Sequence, residues 1–97
     1  MARAIAMDPR DNVATLLSEV DRGDSVEVRS KGGELLEVVK ANGPIPFGHK
    51  IALRDIGEGE KVVKYGEVIG RATRPIAKGD HVHTHNLESL RIRPEVV

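Results

Sequence analysis

The chain has no cysteine and no tryptophan, and only one phenylalanine and one tyrosine among 97 residues. Without cysteine it can build neither a disulfide framework nor a thiolate metal site. With so few rings it offers no platform on which bases could stack. An excess of charge of either sign is missing too: 15 basic residues balance 15 acidic ones, and no block of like charge occurs. The electrostatic footprint of a nucleic-acid binder is therefore absent. No apolar run approaches the roughly 20 residues that a membrane-spanning helix needs. The opening segment Met1 to Met7 is shorter than a secretory signal. A cytoplasmic protein, with neither nucleic acid nor membrane as partner, is the expectation.

What is present fits one small globular domain. Apolar residues make up 39% of the chain and ten glycines accompany them. The core must be built from Val, Ile, Leu and Ala. A short motif (apolar, x, x, Gly, acid, x, Val) occurs three times, as Val20 to Val26, Ile56 to Val62 and Ile76 to Val82. Each copy suits a strand end, a turn whose glycine takes a positive φ, and a new strand starting at the acid. The spacing predicts strands over Ser25–Arg29, Leu35–Val39, Lys50–Arg54, Lys61–Tyr65, Val68–Thr73 and His81–Thr84. Lys31 to Glu34 and Tyr65 to Glu67 read as tight turns, and Asn42 to Gly48 as a rigid loop stiffened by Pro44 and Pro46. Gly70 marks a bulge, or a place where another backbone comes close. One short helix is expected near the N-terminus. Asp11 or Asn12 would cap it, and Val13, Ala14, Leu16, Leu17 and Val20 would form its apolar stripe. The class is thus mainly β, with residues 1–10 a flexible N-terminus, 11–90 the folded domain and 91–97 a C-terminal tail.

The densest chemistry lies at His81-Val82-His83-Thr84-His85-Asn86, which holds three of the four histidines at alternate positions. On a strand such residues share a face, with neighbours roughly 6.5 Å apart along the backbone. Neutral imidazole is the commonest metal ligand and titrates near pH 6.5. Such a row can ligate a metal, hold a carboxylate or move a proton; it can equally be an exposed strand of no consequence.

Three segments, in order, carry a family resemblance: Gly48 to Ile56, Lys64 to Thr73 and Gly79 to Leu87. They resemble the N-terminal module of altronate dehydratases and the small alpha subunit of (2R)-sulfolactate sulfo-lyase. More distantly they are similar to the N-terminal region of galactarate dehydratase. The resemblance implies a SAF-like β-clip domain and lyase chemistry that removes water or sulfite from a hydroxy acid. It also implies an iron(II) or manganese(II) requirement. Galactarate dehydratases keep the His-Lys motif without the histidine row, so the row points to the altronate or sulfolactate branch. The family's enzymes carry a much larger second region, fused or as a separate subunit. The chain is therefore expected to be the small subunit or N-terminal domain of a sugar-acid dehydratase, inactive alone and completed by a larger catalytic subunit. Self-association into a homo-oligomer stays open.

Elimination from a hydroxy acid needs a base, a stabilised enolate and an acid for the leaving hydroxide. The candidates are His49, His83 and His85 for catalysis, and His81, His83 and His85 for a metal. Two alternate histidines can share one ion, but on a straight strand the outer pair would span about 13 Å. His83 with His85, or His81 with His83, is the expected pair. Lys50, Asn86 and Tyr65 are the candidate substrate contacts. Each has a plainer reading: a solvated strand start for His49-Lys50, a turn residue for Asn86, a core or turn anchor for Tyr65. On a regular strand Lys50 would face away from His49. The competing function is a non-catalytic module of the same fold that binds a carbohydrate or a partner protein.

Overall fold

The structure, a computed structural model, describes residues 1–89. Among them all regular structure is β. Nine strands run in chain order: β1 Ala2–Ala6, β2 Val13–Leu16, β3 Ser25–Ser30, β4 Leu35–Lys40, β5 Lys50–Ala52, β6 Lys61–Lys64, β7 Glu67–Ala72, β8 His81–Val82 and β9 Leu87–Ser89. They form a six-stranded sheet ordered β4-β3-β1-β2-β5-β8 and a three-stranded sheet ordered β6-β7-β9. Strands β1 and β3 are parallel. The other pairs are antiparallel.

The expected N-terminal helix does not form. Its apolar stripe belongs to β2, which is buried on both sides. Ala14 and Leu16 enter one apolar cluster, with Val26, Val28, Ile45 and Ile51. Val13 enters the other, with Ala52, Ile56, Val62, Ile76 and Val82. Burial on both faces removes the strict alternation that identifies a strand. The two residues proposed as caps do satisfy backbone N–H groups, but not those of a helix. Asp11, buried, accepts from Met7 N and Asp8 N through Oδ2 and from Gly66 N through Oδ1, at 2.8–3.1 Å. Asn12 accepts from Val63 N and donates to the Lys61 carbonyl. Both thereby bolt the β6–β7 hairpin onto the larger sheet. Residues 2–6, expected within a loose terminus, lie between β3 and β2 as β1. The tail at 91–97 falls outside the described residues.

The repeated motif is a repeated turn. Gly23, Gly59 and Gly79 have φ of 84–95°. The acid after each glycine accepts a hydrogen bond from the backbone N–H three residues before it: Asp24 from Asp21, Glu60 from Gly57, Asp80 from Ala77, at 2.5–2.8 Å. A fourth copy runs from Ile45 to Ile51, with Gly48 at φ 82° and His49 in the acid's place. All four are held alike. The glycine N–H donates to a residue on a facing segment, whose own N–H returns to the carbonyl after the glycine; those residues are Ala41, Leu16, Ala72 and Ala52. The first and fourth copies join through paired Val20 and Ile45, the other two through paired Ile56 and Ile76.

Tyr65 and Gly66 both have positive φ (58° and 73°) and close the β6–β7 hairpin, as the primed two-residue turn requires. Gly70 is a point of close approach: a Cβ there would collide with the Glu88 carbonyl of β9.

Candidate functional site

The ladder between β5 and β8 builds the site. Lys50 pairs with Val82 and Ile51 with His81. One step further, the same register sets His49 opposite His83. Their rings stack with centroids 4.2 Å apart, as side chains facing each other across an antiparallel pair do. His81 and His83 share this face as alternate residues, 5.6 Å apart. His49 also meets His81, its Nδ1 2.9 Å from His81 Nε2.

The strand then ends, because Asn86 makes a turn. Its Oδ1 accepts from His83 N at 2.9 Å, its Nδ2 donates to the His81 carbonyl at 2.8 Å, and its N–H donates to the His83 carbonyl at 3.1 Å. The chain folds back, and the His85 ring lies 5.1 Å from that of His81. The straight-strand spacing of the outer histidines is thus replaced by a cluster of four rings.

His49, His81 and His83 offer nitrogens that all lie within 4.8 Å of one another, each residue half-buried. Ligand nitrogens in a tetrahedral shell are roughly 3.4 Å apart at the usual metal–nitrogen distance. Small ring rotations bridge that difference. The electrostatics suit a metal as well. Burial, then the imidazoles of His85, His49 and His83 and the charge of Lys50, push the His81 pKa down to about 4. His83 is lowered by burial, then by His49, Lys50 and His85. Both rings are neutral at pH 7, the form that ligates. The donor set therefore fits a divalent ion that accepts imidazole. It substitutes His49 for His85 in the expected trio.

The other candidates lie elsewhere. Lys50 is half-buried on the sheet face opposite His49, and burial and Lys64 lower its pKa. Tyr65 sits exposed at the hairpin tip with the Lys64 ammonium 5.1 Å from its ring centre. The Asn86 side chain is buried and spends its amide on the turn. His81 lines two clefts. One, of about 500 Å³, carries Glu19, Asp21 and Asp24 beside Pro44 and Pro46. The other, of about 280 Å³, carries Arg74, Asp80, His85 and Asn86. Arg74 was not among the sequence candidates, since a lone arginine before a proline has no spacing signal.

Comparison with known proteins agrees with the resemblance. Over 47 residues the chain is 51% identical to the (2R)-sulfolactate sulfo-lyase subunit alpha of Chromohalobacter salexigens, covering 48% of this chain and 50% of that one. It is 34% identical over 89 residues to the altronate dehydratase of Bacillus subtilis, covering 92% of this chain and 17% of the enzyme. It is 37% identical over 91 residues to the galactarate dehydratase (L-threo-forming) of Escherichia coli, covering 94% of this chain and 15% of the enzyme. The chain thus spans half or less of the length of these relatives. No helix among the described residues is long and apolar enough to cross a membrane. Residues 2–90 match the model of the altronate/galactarate dehydratase SAF domain, and the chain belongs to that family.

Proposed function

We propose that this domain supplies the imidazoles of His49, His81 and His83 to a metal and substrate site of a lyase acting on a sugar acid or sulfo-acid. A larger catalytic region, fused or separate, completes that site. The observation that carries this reading is the gathering of three imidazole nitrogens from two strands within 4.8 Å. An all-imidazole set suits iron(II) better than manganese(II), which prefers oxygen ligands. When bound, the ion would supply Lewis-acid stabilisation to the charge that develops as the proton next to the carboxylate leaves.

The protein's own residues do the rest. Neutral His81 and His83 each carry a ring lone pair at pH 7, and an ion would replace the hydrogen bond that His81 shares with His49. The Asn86 turn holds His83 and His81 through their backbones, so the rings stay aligned without a ligand. His85, exposed and outside the trio, stands beside His81 on the wall of the smaller cleft. Among the described residues the clefts beside His81 are open to solvent, so turnover needs the larger region that would enclose the substrate.

The test is calorimetric titration of iron(II) under anaerobic conditions, followed by activity of the complex with its large subunit on altronate and sulfolactate. His83→Ala should weaken metal binding by more than about 100-fold, since even residues that merely orient a ligand contribute 10–100-fold. It should abolish turnover. Full activity in the His83→Ala complex would instead leave a non-catalytic carbohydrate- or partner-binding module.

A further inference from the structure

The smaller cleft beside His81 carries a guanidinium, that of Arg74, with no partner among the described residues. We infer that it is a carboxylate-binding subsite in which Arg74 and His85 hold the acid group of the ligand; calling that ligand the substrate rests on the lyase reading above. Most polar groups in the cleft are already engaged. Asn42 Nδ2 donates to the Lys78 carbonyl and to Asp80 Oδ1, both at 2.8 Å. Asp80 Oδ2 accepts from Ala77 N. Both ends of the Asn86 amide are used within the turn. His81 Nε2 faces His49. Two lining side chains remain. Among the described residues the Arg74 guanidinium makes no hydrogen bond or ion pair, and the His85 ring touches only that of His81.

Arg74 is free at its head but fixed at its root. Thr73 N donates to the Asn86 carbonyl, and Ile76 pairs with Ile56 through two backbone bonds. Pro75 restricts the backbone freedom of Arg74. A guanidinium on such a base presents a planar fork that matches a carboxylate. The charge of the surroundings selects the same side. The larger cleft across His81 carries Glu19, Asp21 and Asp24, which repel an anion. In the Arg74 cleft an acid meets one carboxylate, Asp80, both of whose oxygens already accept hydrogen bonds, and the guanidinium on the same wall offsets its charge.

The experiment uses the full 97-residue chain stripped of metal. Side-chain NMR signals of arginine and histidine are followed while D-gluconate, or uncharged sorbitol, is added. Gluconate should give saturable shifts at Arg74 and His85, and sorbitol none. Arg74→Gln should weaken gluconate binding about tenfold, and Arg74→Lys by less, as a charge without the fork. Arg74 is exposed, and an unchanged backbone spectrum verifies the fold of each variant. Equal shifts with sorbitol, no saturable shift, or gluconate binding indifferent to Arg74→Gln would each overturn the subsite. Because no metal is present, these outcomes are independent of the iron(II) titration. Loss of metal binding with gluconate binding intact would sink the lyase site and spare this one.

Discussion

Asn86 shows how one side chain can decide the chemistry of its neighbours. With its two amide bonds it converts a run of alternating histidines into a turn, and the cluster depends on that turn. Asn86→Ala leaves His83 N and the His81 carbonyl without their partner. It should cost about 2 kcal/mol in chemical denaturation, and it should scatter the rings enough to weaken iron(II) binding. Protonation supplies a second test at this scale. The His81 pKa of about 4 lies below the ordinary 6.5, so between those values the unfolded chain binds more protons than the folded one. Stability of the metal-free protein should therefore rise with pH through that window and level off above it. His81→Gln should flatten this slope in thermal melts recorded from pH 4 to 7.5; an unchanged slope would assign the dependence to other groups.

The element that recurs is the glycine turn, and its fourth copy explains where the site came to be. In three copies an acid caps the N–H of the residue three before it. In the fourth, that residue is Pro46, which has no N–H to offer. An acid at position 49 would have no partner, and His49 stands there with its ring free to meet His81 and His83. Three copies were legible in the sequence because the acid marked them; this one was not, because the acid is what changed. His49→Asp should therefore behave differently in the two backgrounds. With Pro46→Ala present the new carboxylate gains its partner, and a double-mutant cycle should give about 1 kcal/mol of favourable coupling. Zero coupling would show that position 49 is not equivalent to Asp24, Glu60 and Asp80. Metal binding should fall in both backgrounds. Strand β1 was missed for another reason: Ala2, Ala4 and Ala6 have weak strand preference, and are small because they sit between close-packed neighbours.

Across the whole molecule, β2 and β5 join two apolar clusters. Ala14, Leu16 and Ile51 face one, Val13 and Ala52 the other. Neither cluster can come apart without exposing these shared strands. Ile51→Ala should cost about 2–4 kcal/mol, and amide exchange at Val28 and Val62, one in each cluster, should report the same loss. Unequal losses would mean that the two sheets open separately. The linear chain was enough to establish the β class, the turn positions and six of the strands, because turn chemistry and apolar spacing are local; the family came separately, from the resemblance carried by three ordered segments. It also singled out the four histidines. Which three of them converge, that His49 displaces His85 from the trio, and that Arg74 borders the same cleft were decided only by tertiary pairing. Register between β5 and β8 joins residues thirty or more positions apart, and no pattern within one segment carries that information.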